Sequence, residues 1–181
     1  MPQAHKSRRV FFALWPDQAV ARRFEAAGGR AHETLGGRRL RRANLHLTLA
    51  FVGAVGGGRL QDLREIAGAI RLPPFRLRFA RLECLRGKRI VWAAAEIPPG
   101  LRDLAEALRA GLAAARFPVE ERPFAAHVTL LRNADCSGLA PPADGLPIDW
   151  AVEDFVLAES DLHPEGARYR ILARWRLAAG D

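Results

Sequence analysis

The chain is 181 residues long, 49% hydrophobic and 27% charged, a make-up that excludes disordered, collagen-like and low-complexity classes and suits one domain or two small packed lobes. Its formal charge of +8 is uneven: residues 1–51 hold ten Lys or Arg against three Asp or Glu, while residues 52–181 are nearly balanced. No run reaches the ~18 apolar residues of a membrane span, and Val10 to Trp15 is too short for a secretory signal, so a cytoplasmic protein with no membrane partner is expected.

Met1 to Ser7 reads as a loose tail, and Arg9 to Leu14 as a buried strand. Asp17 is placed to cap a helix whose apolar positions Val20, Phe24, Ala27, Ala31 and Leu35 recur at helical spacing. Gly28-Gly29 weakens that helix in its middle, and Gly36-Gly37 ends it. The basic segment Arg38 to Arg42 leads into the apolar run Leu45 to Val52, a strand. Gly56-Gly57-Gly58 lacks the Lys-Ser/Thr of a phosphate-binding loop and reads as a turn. Leu60, Leu63, Ala67 and Ile70 make a second helix, stopped at Pro73-Pro74. Residues 75–96 alternate as a hairpin, with a turn at Gly87-Lys88 and a change of parity near Leu82 that predicts a bulge.

Pro98-Pro99-Gly100 opens a third helix, carried by Leu101, Leu104, Leu108 and Leu112. After a loop bracketed by Pro118 and Pro123, the run Ala125 to Leu131 reads as a strand. Residues 133–147 are loop. Trp150 to Glu159 is read as one strand and Arg168 to Leu177 as another, with Tyr169, Ile171, Ala173, Trp175 and Leu177 on a single face. Cys84 and Cys136 stand in no metal or redox spacing and read as separate thiols in a reducing compartment. Helices set among hairpin-like strands argue for an α+β architecture of antiparallel or mixed sheets.

One pattern occurs twice. His46-Leu47-Thr48-Leu49 and His127-Val128-Thr129-Leu130 lie 81 residues apart, each inside a strand. Strand side chains alternate, so each copy turns an imidazole and a hydroxyl to one face and two apolar groups to the other. A repeat suggests a duplicated half. If the halves pack face to face, two imidazoles and two hydroxyls converge. One imidazole can then take a proton while the other gives one, and the threonines can donate to phosphoryl oxygens where charge builds. Which histidine does which is open at this stage. Metal-assisted hydrolysis competes, but His5, His32 and His163 lie in tail, helix or loop with no Asp/Glu cluster near the repeats, so no metal site is expected.

Paired His-x-Thr strands in a chain of this size resemble the 2H phosphoesterase superfamily, and most of all its bacterial and archaeal RNA 2′,3′-cyclic phosphodiesterases, also called 2′-5′ RNA ligases. The likeness runs over residues 8–177. It includes Arg9 to Ala13, Asn44 to Phe51, Val91-Trp92, Arg122-Pro123-Phe124, His127 to Arg132, and Ser160, Gly166, Tyr169, Leu172 and Trp175. Ala126 stands where the family often has Pro. The resemblance implies residues 1–181 as one domain of two pseudo-symmetric lobes around a central cleft. Each lobe is a sheet with helices on its outer face and one motif, with segments free to cross between lobes.

It further implies cofactor-free opening of an RNA 2′,3′-cyclic phosphate to a 2′-phosphomonoester. His46 would be the proton donor and His127 the proton acceptor, with Thr48 and Thr129 on the phosphoryl oxygens. Ligation through a 2′-5′ link would be the same chemistry with a 5′-hydroxyl in place of water. Arg132 would touch the phosphate, although strict alternation puts it on the face opposite His127 unless the strand twists near Leu131. Phe12 and Phe51 are candidates to stack on bases. The expected partner is RNA with a cyclic phosphate end, tRNA fragments included, and the expected state is a monomer. A phosphodiesterase for small cyclic nucleotides and a non-catalytic RNA-end binder are the alternatives.

Overall fold

The computed structural model describes residues 7–139, 145–164 and 166–179. Met1 to Lys6 of the expected tail, His5 among them, lie outside the described residues. Strand β1 (Arg8–Leu14) leads to helix α1 (Gln18–Leu35), where the Asp17 carboxylate accepts from the Val20 N–H at 2.8 Å. The helix runs unbroken through Gly28-Gly29, because tertiary packing overrides their low propensity. A Cβ at Gly28 would sit 3.5 Å from that of Leu130, so α1 lies close on the strand beneath it. Next come β2 (Arg38–Arg39), β3 (Leu47–Val55), α2 (Leu60–Gly68), the hairpin β4 (Phe75–Leu85) and β5 (Ile90–Ala95), and α3 (Pro99–Ala114). The remaining strands are β6 (His127–Arg132), β7 (Ile148–Val152), β8 (Asp154–His163) and β9 (Gly166–Arg176).

The fold is α+β, with two sheets whose strand pairs are all antiparallel. One sheet has the order β3-β1-β8-β9 and the other β2-β6-β5-β4-β7. The chain halves therefore do not map onto the sheets. The 75–96 hairpin joins β6 and β7, while β8 and β9 return to β1 and β3. Residues 148–163 are accordingly two strands, and the expectation of one strand over Trp150 to Glu159 is corrected. Glu153 is the step between sheets, for β7 pairs with β4 and β8 with β1 and β9. Both strands are apolar on their inner face, so composition carries no mark of the crossing.

Helix α1 packs on β6 and β7, whereas α3 packs on β3 and α2 on α3 and β9. The main core runs without a break across both sheets, from Phe12, Phe155 and Leu157 to Phe24, Phe79 and Trp150. Phe24 stands edge-on to Phe79 at 4.9 Å.

Bulges reset several faces. The expected β4 bulge lies between Phe79 and Arg81. In β9, Leu157 pairs with Ala173 and Ala158 with Ile171, so Leu172 is the extra residue. The single apolar face expected for β9 is corrected accordingly. Tyr169 lies with Phe11, Ala13, Val156 and Ala158 on one side of the sheet, while Leu172, Ala173 and Trp175 pack into the main core on the other. The two cysteines are not separate thiols as expected. Cys84 at the end of β4 and Cys136 in a short turn after β6 are joined as a disulfide, with Cα atoms 6.0 Å apart. Their 52-residue separation hides a proximity that only the sheet pairing creates.

Candidate active site

The two His-x-Thr segments come from different sheets and meet across one cleft of about 1430 Å³, with β3 and β6 in contact. His46, Thr48, His127 and Thr129 all line it. Alternation places them: Leu47, Leu49, Val128 and Leu130 are buried in the core on the opposite side. Thr48 pairs with Ala13 on β1, and Thr129 with Trp92 on β5.

Both imidazoles are held by the same device. His46 Nδ1 lies 2.7 Å from the carbonyl of Asn44, and His127 Nδ1 lies 2.9 Å from that of Ala125, each two residues upstream. A carbonyl only accepts, so Nδ1 carries the proton in each ring. The neutral ring then has a bare Nε2 left for the cleft, and the protonated ring an Nε2–H. Asn44 is itself tied down, its side-chain amide donating to the Ala167 carbonyl at 2.9 Å.

The rings differ in what surrounds them. Trp15 stacks on His46 at 5.1 Å and 9°, and Tyr169 and Phe11 close the box at 4.9 and 5.0 Å. Burial among these rings drives the His46 pKa down from 6.5 to about 4; the Asn44 hydrogen bond opposes this, and the positive charges of His127 and Arg132 add to it. His127 is also lowered, first by burial, against the hydrogen bond to Ala125 and the nearby Glu83 carboxylate. Trp92 lies against His127 with ring centres 4.5 Å apart.

Arg132 lines the cleft, on the same side as His127. The register of β6 explains how: Val91 pairs with Leu131 and Trp92 with Thr129, so Leu130 bulges, Leu130 and Leu131 both face the core, and parity flips. Phe51 also lines the cleft, 42% exposed, nearly parallel to Phe11 at 6.5 Å and with the Arg9 guanidinium 5.0 Å over its face. Phe12 does not reach it. It is 0% exposed, packed against Phe155 and Trp175, so its expected substrate contact is corrected. Alternation in β1 gives the core Val10, Phe12 and Leu14 and the cleft Arg9 and Phe11. Phe11 therefore lies on the cleft side, paired with Phe51 but itself only 2% exposed beneath the rings that line the cleft.

Sequence reasoning also missed the box around His46. Phe11, Ala13 and Trp15 follow the period of β1, a signal that was available. Tyr169 arrives from the far end of the chain, and its part in the family likeness does not by itself place it beside His46. His32 and His163 do not line the cleft; His163 pairs with Asp161 at 3.1 Å. Among the described residues, no three His, Cys, Asp or Glu side chains gather as a metal site, and no helix is long and apolar enough to cross a membrane.

The chain matches the 2′-5′ RNA ligase superfamily over residues 15–164. It is 39% identical to an Escherichia coli protein named RNA 2′,3′-cyclic phosphodiesterase over 142 residues, 78% of this chain and 80% of that one. It is 31% identical to a Thermus thermophilus protein of the same name over 179 residues, covering 93% and 90%. The fold superposes on E. coli LigT in apo form with a TM-score of 0.84 at 34% identity, covering 96% of this chain and 99% of that one. The same score and identity hold for LigT complexed with 3′-AMP, at 95% and 99% coverage. The family match over residues 15–164, with likeness in sequence and in fold along nearly the whole chain, places this protein in the 2′-5′ RNA ligase superfamily.

Proposed function

We propose that this protein is an RNA 2′,3′-cyclic phosphodiesterase that works by side chains alone. The observation that carries the reading is the pair of imidazoles, each fixed at Nδ1 by a backbone carbonyl and each lining the same cleft beside a threonine. Water, deprotonated by His127 Nε2, attacks phosphorus. The bond to the 3′-oxygen breaks and that oxygen leaves with the proton of His46, giving a 2′-phosphomonoester. The Thr48 and Thr129 hydroxyls donate to the non-bridging oxygens, and the Arg132 guanidinium offsets their charge. Phe51, backed by Phe11, offers an aromatic face to a base. With a 5′-hydroxyl in place of water, the same groups in the same roles join ends through a 2′-5′ link: the bond from the 5′-oxygen to phosphorus forms as the bond to the 3′-oxygen breaks. On this reading the chain is a single domain of two lobes, one histidine from each.

The test is an oligonucleotide ending in a 2′,3′-cyclic phosphate, incubated with the protein in EDTA. A 2′-phosphate product and a bell-shaped pH–rate profile are expected. Tight binding without turnover supports a non-catalytic RNA-end binder instead, and a faster rate on a cyclic mononucleotide supports a small-substrate enzyme.

A further inference from the structure

The two histidines share a motif but not an electrostatic setting. On the cleft face of the second sheet, Glu83, Trp92 and Thr129 form one cross-strand row, with His127 two residues before Thr129. The Trp92 indole N–H donates to Glu83 Oε2 at 3.2 Å, while the other carboxylate oxygen, Oε1, accepts from Arg81 Nε at 2.7 Å. The indole ring itself lies against the His127 ring. His46 also has a tryptophan against it, but the charges acting on it are His127 and Arg132, both of the wrong sign to favour a second proton.

We infer that Glu83, acting through the Trp92 indole, is a positioning residue that orients the His127 ring and balances the charge the ring takes on when it accepts the proton of water. The inference rests on the reading of His127 as the base. Glu83 does not line the cleft, so it does not touch substrate. Arg81 and then Trp92 hold its carboxyl below the usual carboxylate range, so it is ionised at neutral pH. Its charge is felt at His127, where it favours the protonated ring. An imidazolium over an indole face is a cation–π contact, and an indole whose N–H is bound to a carboxylate is the more electron-rich partner. The charge acting on His127 is that of Glu83; other ionisable groups on the cleft lining include His46, Arg132, Arg39, Lys88, Glu106 and the paired Glu120 and Arg122. Glu83 thus supplies at the base a negative charge that, among the described residues, none supplies at His46. Turnover carries a proton from the imidazole without a carboxylate to the one with it.

The variants are Glu83→Gln, which keeps an acceptor for the indole but removes the charge, and Trp92→Phe, which keeps a ring but cuts the link. Two measurements are made on the whole protein: the His127 pKa by ring NMR without substrate, and the pH–rate profile on the cyclic phosphate oligonucleotide. In Glu83→Gln the His127 pKa falls, the acidic limb of kcat/KM moves to lower pH with it, and the kcat plateau falls about 10-fold with KM little changed. The double variant is no slower than Trp92→Phe alone, because the two residues act as one unit. An unchanged His127 pKa in both single variants overturns the inference. A His127 pKa that moves while the acidic limb stays fixed overturns instead the reading of His127 as base.

Discussion

A proton donor must hold a proton, and the protein's own side chains keep His46 at a pKa of about 4. At pH 7 only about one His46 in a thousand is then charged. Returning it to its ordinary 6.5 takes about 3.4 kcal/mol of extra attraction for the charged ring, at ~1.36 kcal/mol per tenfold. One negative charge ~4 Å from the ring, at an effective dielectric of ~20, supplies about 4 kcal/mol. A phosphoryl anion beside His46 is therefore enough, and it also offsets the Arg132 charge that presses the pKa down. The expected outcome is that anion binding brings His46 its proton. Sulfate is the probe, because it does not titrate in this range. Ring NMR of His46, assigned with His46→Asn, is followed from pH 3 to 8 with and without saturating sulfate. Calorimetry at pH 6, in two buffers of different ionisation enthalpy, counts the protons taken up. A rise of about two pH units, and with it an uptake of about half a proton at pH 6, are expected. A His46 that stays neutral at pH 6 under saturating sulfate, or a proton that goes to His127 alone, refutes the reasoning.

Four further outcomes are expected. His46→Ala and His127→Ala each lower turnover at least ~10²-fold in EDTA, and near-native activity in either removes the two-histidine mechanism. Stability falls as pH drops through the window from about 6.5 to about 4, since the unfolded chain binds the proton there and folded His46 does not. The loss by pH 4.5 is about 2.5 kcal/mol, with His127 adding in the same direction, and His46→Asn flattens the urea-midpoint profile. Gly28→Ala raises the urea midpoint, by up to ~1 kcal/mol of stability, because its Cβ meets Leu130 at ordinary contact distance. Gly37→Ala lowers it by ~1–3 kcal/mol and slows turnover: at φ +82° its Cβ would come 2.7 Å from the Arg132 carbonyl oxygen and shift the strand that bears Arg132.

Local pattern made much of this protein legible before its structure. The Asp17 cap, the leucine spacing of α3 and the two His-x-Thr alternations are short-range signals, and each corresponds to an observed element or face. Bulges defeated the alternation argument elsewhere. One extra residue at Leu130 carries Arg132 to the cleft, and another at Leu172 separates Tyr169 from Trp175. Pairing of distant strands was not legible at all. Tyr169 beside His46, the Cys84–Cys136 bond and the step at Glu153 depend on which strands become neighbours, and neither composition nor period records that. The parity of β1, by contrast, is legible in the sequence: Val10, Phe12 and Leu14 share the core face, which leaves Phe11 on the other.

The interleaving of the two sheets has a consequence for cutting the gene. A break near residue 98 leaves an amino-terminal piece with β1 and β3 but without the β8 and β9 that complete their sheet. The carboxy-terminal piece keeps β6 with neither of its flanking strands, β2 and β5. Neither piece alone inherits a layer able to present its histidine. Co-expressed, they hold every missing edge of one another, which makes this chain a natural subject for fragment complementation, with phosphodiesterase activity as the signal of reassembly.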